Sequence, residues 1–323
     1  MLSPTSDPFT LRAAAPGDFA AVLALMRAEN IRSYGEALIA AEHLQTLWAS
    51  FDLAQNTWVA YTPGGELAGY AELRSDPPDS FDVSLYLAEG ARRATLGTRL
   101  LQCVERRAAA AAANAASFSL FSRVSAADPA GMQLFADAGY VSRLSFLIME
   151  RLLHEPPEPA TWPTGVGVRP FVPGQDEQAV YRADEEASQD KGYHTPLSFA
   201  AWAERMGLNH DSFDPGLWFL ADCNGEIAGA ALNFYLPATE TAWVDHLGVR
   251  RSWRKQGLGY ALLLHSLAEF QRRGIPRARL SVDSQSLTNA PRLYARAGLE
   301  TILEYHIFKK TCPPPAAAQT SPE

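Results

Sequence analysis

Between residues 243 and 274 the chain passes from an apolar, strand-like stretch through Arg250-Arg251-Ser252-Trp253-Arg254-Lys255-Gln256-Gly257-Leu258-Gly259 into a segment with helical spacing of apolar residues. A strand, a glycine turn and a helix leave backbone N–H groups without partners at the helix N-terminus, where the helix dipole favours negative charge. Gly257 and Gly259 let that backbone approach a pyrophosphate with no Cβ in the way. The loop is not a Walker loop, because no Gly-Lys-Ser/Thr follows. Nor is it a dinucleotide fingerprint, because Leu262 stands where the third glycine belongs. Two glycines before a helix also serve plain turn geometry, so the surrounding elements must decide.

Those elements alternate. Residues 166–170 read as a strand and 175–189 as a helix. Residues 217–223 and 227–235 form a hairpin around Asn224-Gly225. Residues 241–249 are another strand. Residues 258–273 are a strong helix with an apolar face of Leu262, Leu263, Leu267 and Phe270 and with Gly274 just past its end. A strand at 278–282, a helix at 290–297 closed by Gly298, and a strand at 304–309 complete the set. Early strands followed by strand–helix alternation predict an α/β (α+β) fold with a mixed, mostly antiparallel sheet flanked by helices.

The pattern occurs twice. Leu11-Arg12 and Pro16-Gly17-Asp18 answer to Val168-Arg169 and Pro173-Gly174-Gln175-Asp176. Trp58-Val59-Ala60 answers to Trp218-Phe219-Leu220, Gly65-Glu66-Leu67-Ala68-Gly69 to Gly225-Glu226-Ile227-Ala228-Gly229, and Leu134-Phe135 with Gly139 to Leu293-Tyr294 with Gly298. The matches keep their order at a nearly constant separation, so the chain reads as two copies of one fold. The expected organisation is a flexible start at 1–8, a first domain at 9–152, a Pro-rich linker at 153–165, a second domain at 166–310 and a disordered tail at 311–323.

A length of 323 residues with 47% hydrophobic and 20% charged content suits two packed domains and excludes a mainly disordered chain. The formal charge of −8, from 28 Lys+Arg against 36 Asp+Glu, argues against a nucleic-acid partner. The three cysteines form no metal or disulfide pattern, and no apolar run is long enough for a membrane span. With no basic and apolar leader at the start, the expectation is a soluble cytoplasmic protein without a metal.

The stretch from Leu247 to Gly259 closely resembles the acetyl-CoA loop of the GCN5-related N-acetyltransferase (GNAT) family, Arg/Gln-x-x-Gly-x-Gly/Ala after a strand. Ala290-Pro-Arg-Leu293-Tyr294-Ala-Arg-Ala-Gly298-Leu299 resembles the family's second signature, in family order and at family spacing. One departure is Ser286, standing where an Asn is often found. The resemblance covers residues 166–310 well and implies acetyl transfer from acetyl-CoA, as co-substrate, to a primary amine of a small molecule. It also implies backbone contacts from Leu247, Gly248 and Val249 to pantetheine. Arg254, Lys255, Gln256, Gly257, Leu258, Gly259 and Tyr260 would hold the pyrophosphate, and Ser286 would lie near the pantetheine arm. Tyr294 matches the family tyrosine that protonates the departing thiolate.

An ammonium acceptor must lose a proton before it attacks a thioester. By strand alternation Asp245 and His246 face opposite ways, and Asp245 shares a face with Leu247 and Val249, which makes Asp245 the expected base. His246 and Asp283 are the alternatives, Asp283 more as a turn cap, and a water chain without a dedicated base is a further one. Glu185, Glu186 and Asp190, leaving the first helix of the second copy, suit a cationic amine such as an aminoglycoside, polyamine or amino sugar.

The first copy departs at both motifs. Its loop, Arg92-Arg93-Ala94-Thr95-Leu96-Gly97, has Thr95 at the position of Gly257, and Phe135 replaces Tyr294. A β-branched residue obstructs a positive φ and close phosphate approach. Domain 9–152 is therefore expected to be an intramolecular partner without standard catalysis, with CoA binding through Arg92, Arg93 and Gly97 as a residual option. Acetylation of a protein or peptide amine, and a CoA-binding regulatory module without turnover, are the competing functions.

Overall fold

Asn224 and Gly225 adopt φ of 53° and 87°, the two left-handed residues that a two-residue hairpin turn needs to match the twist of its strands. The hairpin they close is one of several turns around which the chain is built. The computed structural model describes residues 9–313 apart from 38, 51, 76–78, 91, 92, 114, 192 and 211, and of Arg93 the backbone alone. Residues 1–8, the tail beyond 313 and Arg92 thus lie outside the described residues.

In chain order the elements are β1 (Thr10–Arg12), α1 (Phe19–Tyr34), α2 (Ala41–Ala49), α3 (Leu53–Asn56), β2 (Thr57–Tyr61), β3 (Leu67–Ser75), β4 (Ser80–Leu87), α4 (Thr98–Ala111), β5 (Phe118–Ser125), α5 (Pro129–Asp137) and β6 (Val141–Leu152). They repeat as β7 (Gly167–Pro170), α6 (Glu177–Ser188), α7 (Phe199–Arg205), β8 (Trp218–Cys223), β9 (Glu226–Leu236), β10 (Thr241–Val249), α8 (Leu258–Arg272), β11 (Arg277–Asp283), α9 (Ala290–Arg296) and β12 (Glu300–Cys312). The fold is the expected mixed α/β type, with helices flanking mixed sheets.

The chain forms two compact units, one containing the described residues up to Ser145 and those from Leu303 onward, the other Phe146–Ile302. In the first, the strand order is β1-β2-β3-β4-β5-β12, antiparallel except where β4 and β5 run parallel from Ser80↔Ser119 to Asp82↔Phe121. In the second it is β7-β8-β9-β10-β11-β6, antiparallel except where β10 and β11 run parallel from Thr241↔Arg277 to Val244↔Leu280. Each unit is closed by the last strand of the other half of the sequence.

This corrects the expected boundaries. The division falls inside β6 and β12, not in the Pro-rich stretch. Residues 153–165 are not a free spacer: Leu153 is buried, its N–H bonds Pro276 O at 2.8 Å, and Trp162 packs edge-on to His265. Thr311 and Cys312, expected in the tail, are paired to Ser119 and Phe118. The physical reason is that β6 and β12 follow equivalent helices and offer the same alternating edge, so local pattern cannot tell which sheet each will complete.

In the second unit α8 is buried along Leu258, Ala261, Leu262, Leu263, Leu267 and Phe270 against the sheet. The opposite face carries α6 and α7, whose Val180, Ala183 and Trp202 pack with Trp218 and Leu220. Helix α7 had no counterpart in the sequence reading.

The duplication extends to side-chain detail. Arg12 pairs with Asp18 at 2.6 Å, and Asp18 accepts the Ala15 N–H at 2.8 Å. Arg169 pairs with Asp176 at 2.6 Å, and Asp176 accepts the Val172 N–H at 2.8 Å. In both, the arginine hydrogen bond chiefly holds the carboxyl below its ordinary range. A carboxyl so lowered adds stability that is present above its unfolded-chain value and fades as pH falls through the folded one. Asp18→Asn and Asp176→Asn should each cost about 1–2 kcal/mol near neutral pH, part of the ion pairing being screened at the half-exposed arginines. Thermal unfolding should show each gap narrowing below about pH 4, where the carboxyl of the unfolded wild-type chain begins to protonate while the folded one stays charged. A gap independent of pH would show that the charge is not what matters.

Candidate active site

The glycine loop is set by backbone geometry. After β10 the chain makes a tight turn at Arg251–Trp253, then passes Lys255 at φ 62° and Gly257 at φ 85° into α8. Gly257 is the N-cap and no side chain caps the helix, so the first-turn N–H groups of Leu258, Gly259 and Tyr260 keep their donors for an outside acceptor. A Cβ at Gly257 would meet nothing within 4 Å, so glycine is required there by its left-handed φ alone. At Gly259 a Cβ would lie 3.6 Å from Val249. Leu258 turns its side chain into the core, while Lys255 and Gln256 are exposed. The Tyr260 hydroxyl donates to Glu158 at 2.6 Å, and the Arg296 guanidinium lies over its ring.

The arginines of the loop are not free for phosphate. Arg250 pairs with Glu186 at 2.7 Å and Glu226 at 2.6 Å, and Arg251 and Arg254 both pair with Asp190. Arg254 also donates to Val249 O at 2.9 Å. Glu185 meets His194 at 3.2 Å. The carboxylates expected to attract a cationic acceptor are thus spent elsewhere: Glu186 and Asp190 pin the loop to the end of α6. Fixing the loop leaves the N–H groups of Leu258, Gly259 and Tyr260, at the start of α8, as the backbone donors available to an anion.

Leu247, Gly248 and Val249 pair with Ala231, Ala230 and Gly229 of β9 on one edge. On the other edge the pairing with β11 runs only to Val244↔Leu280, so Leu247–Val249 lie beyond the paired stretch. Gly248 is needed for close approach of α6, because a Cβ there would lie 2.9 Å from the Ala187 Cβ.

Tyr294 sits on α9 among Val244, Leu280 and Val282, 9% exposed. Burial, with the Tyr193 hydroxyl nearby as a lesser cause, pushes its phenol up to about 12, so it stays protonated and able to donate. Its helix is held from β6: Arg151 donates to Ala297 O at 2.7 Å, a cation at the helix C-terminus. Tyr193, in the segment after α6, packs edge-on to Phe146 at 5.5 Å. Ser286 is turned to Thr288 at 3.0 Å, and Asp283 accepts the Gln285 N–H at 2.9 Å, which makes Asp283 the turn cap.

The strand that carries the candidate bases is not regular. Val244 faces Asn233 and His246 faces Leu232, so Asp245 is the extra residue of a β-bulge. The bulge interrupts the alternation between Val244 and His246, while His246 still lies opposite Leu247, as alternation from that residue gives. Leu247 and Val249 pack with Leu258 and Leu262 on the α8 side, whereas His246 meets Asp184 of α6. Asp245 is exposed. Asp184 was not singled out from the sequence, nor was Trp202 of α7, whose Nε1 donates to it at 2.9 Å. The available signal was a carboxylate on the buried stripe of α6 with Val180, Ala183 and Ser188.

In the first unit the corresponding loop is closed differently. Arg93–Gly97 winds as a wide helical turn leading into α4, and Gly97 has φ −59°. The winding itself ties up backbone donors that the second unit leaves open. A Cβ at Gly97 would lie 2.5 Å from Leu134, so this glycine serves packing, not a ligand. Thr95 is exposed, and Phe135 is a core ring against Tyr140 and Phe308. A cavity of about 230 Å³ lies in this unit, lined by residues including Ser33, Arg74, Tyr86, Arg123 and Phe135. It is not at the glycine loop.

Among the described residues no cluster of metal-ligating side chains occurs, and no helix is long and apolar enough to cross a membrane. The sequence profile of the acetyltransferase (GNAT) family matches residues 22–140 and again 178–299. A mycothiol acetyltransferase of Thermobispora bispora is 32% identical over 294 residues, covering 88% of this chain and 92% of that protein. One from Thermomonospora curvata is 32% identical over 283 residues, covering 86% and 88%. The crystal structure of a GCN5-related N-acetyltransferase from Sphaerobacter thermophilus superposes with a TM-score of 0.83 at 32% identity, covering 96% of this chain and 98% of that one. A tandem GNAT protein from the clavulanic acid biosynthesis pathway, at 18% identity and a TM-score of 0.67, shares the fold.

Proposed function

Because the chain belongs to the GNAT family and is an acetyltransferase, we propose that its second unit moves the acetyl group of acetyl-CoA to a primary amine of a small molecule. The observation that carries this reading is the contrast between the units. One keeps a left-handed Gly257 and open N–H groups at the α8 N-terminus; the other winds the same stretch into a helical turn. Backbone donors and a helix dipole suit a pyrophosphate, and the free edge of Leu247–Gly248–Val249 suits the amide groups of a pantetheine arm. Tyr294 donates its proton to the leaving thiolate. A small-molecule acceptor accords with the name of the relatives, mycothiol acetyltransferase.

The test is a screen of small amines with acetyl-CoA, following free thiol release. Thiol release with none of them, beside turnover of peptide amines, would refute the acceptor class. Titration calorimetry with acetyl-CoA should give one site per chain. Gly257→Val, which forces a β-branched residue to φ 85°, should abolish that binding, while Thr95→Gly should leave it nearly unchanged. Two equivalent sites would refute the assignment to the second unit.

A further inference from the structure

Resting on the acetylation reading above, we propose that His246 is the proton acceptor for the amine and that Asp184 is its positioning residue. The imidazole Nδ1 lies 2.9 and 2.8 Å from the two Asp184 oxygens. Asp184 is 6% exposed, and its Oδ2 also takes the Trp202 Nε1–H, so α6 and α7 hold the carboxylate from two sides. A carboxylate at Nδ1 fixes the proton there and leaves Nε2 with its lone pair. Among the described residues no hydrogen bond engages Nε2, and the side chain is 19% exposed, which leaves it open to a substrate. The bulge at Asp245 brings this about: it turns His246 to the α6 side while the next residue, Leu247, packs beneath α8.

The groups around the pair hold the Asp184 carboxylate charged against the imidazole. Burial works against the charge of Asp184, but the hydrogen bonds from His246 and Trp202, with Lys191 nearby, hold its carboxyl below the ordinary range. Glu185 on α6 is occupied by His194, Asp245 on the same strand is exposed, and β9 presents the apolar Leu232 opposite. In the step itself Nε2 first takes a proton from the ammonium and yields it to solvent. The neutral amine nitrogen then bonds to the acetyl carbon, and the proton it sheds on forming the amide passes to Nε2. The C–S bond breaks, and the thiolate takes the Tyr294 proton. Solvent then returns the proton from the imidazolium to the phenolate.

The experiment uses the full chain, acetyl-CoA and an amine found by the screen, with kcat/KM measured across pH. His246→Gln should lower kcat by about 10²–10⁴-fold with acetyl-CoA affinity and Tm near wild type, and the deficit should shrink at high pH, where the amine deprotonates unaided. Asp184→Asn keeps an acceptor for Nδ1 but removes the charge that favours the protonated ring. It should cost about tenfold and move the acidic limb of the profile to lower pH. Should His246→Gln fail to fold, the Asp184→Asn profile decides alone. Wild-type kcat/KM in either variant, a loss uniform with pH, or a loss confined to Asp245→Asn would overturn the assignment. A wild-type protein that acetylates no amine would remove the acetylation reading and this role with it, whereas an active one indifferent to these variants overturns this role alone.

Discussion

Tyr294→Phe should lower kcat by about 10²–10⁴-fold, the usual contribution of general acid catalysis, while leaving acetyl-CoA affinity and thermal stability close to wild type. The ring of Tyr294 packs among Val244, Leu280 and Val282, and phenylalanine preserves that packing. What is lost is one hydrogen-bond donor. A thiolate leaving beside this buried phenol has few other partners, so the phenol stabilises the transition state more than the ground-state thioester. With its phenol pushed up to about 12 by burial, Tyr294 remains protonated throughout the working range and should add no basic limb to the pH profile below that value. The reciprocal change, Phe135→Tyr, should create no second activity, since the first unit winds its loop into a helical turn. Steady-state kinetics with calorimetry and thermal unfolding check both variants. Undiminished turnover in Tyr294→Phe would remove this side chain from the chemistry.

A chain cut in the Pro-rich stretch, retaining residues 166–323, should fail to fold on its own. The cut removes the part of β6 that pairs with β11 from Phe146↔Asp283 to Leu152↔Arg277. Three losses follow together. Met149 and Leu153 leave the core around Leu263, Leu267 and Phe270. Arg279, 5% exposed, loses Glu150 at 2.6 Å, and breaking a buried ion pair by removing one member costs up to about 3–5 kcal/mol. Arg151 no longer holds the end of the helix that carries Tyr294. Against a total stability of about 5–15 kcal/mol for a domain, such losses are decisive. Circular dichroism and thermal unfolding of the fragment are the measurements. A cooperative transition near that of the full chain would show that β6 is dispensable.

Much of the candidate site was legible before the structure. The glycine loop, the strand before it and the helix after it follow from residue type and spacing, and β10 begins and ends where the apolar pattern does, Thr241–Val249. The missing first-copy glycine at Thr95 pointed to a changed loop, although the change is a rewound backbone, with Gly97 packed on Leu134, and not a mere obstruction. The acidic residues at the end of α6 point elsewhere than their charge suggests, because a charge run shows its composition but not its partners. Glu186 and Asp190 belong to Arg250, Arg251 and Arg254, which lie more than sixty positions away.

The sequence by itself determined the duplication, the type and order of elements, the anion-receptive helix terminus and the loss of both signatures in the first copy. These are local properties: backbone φ preferences, side-chain periodicity and the presence or absence of a hydroxyl act within a few residues. Three matters were left to the tertiary structure. Strand exchange was one, because β6 and β12 present equivalent edges and only the assembled sheets choose between them. The second was the place of Asp245, the extra residue of a bulge and exposed to solvent, where plain alternation groups it with Leu247 and Val249. The third was the pairing of His246 with Asp184, which joins a strand to a helix sixty-two positions earlier. Each depends on which surfaces pack together, and packing is settled by the whole chain's burial of apolar area, to which no short window of sequence has access.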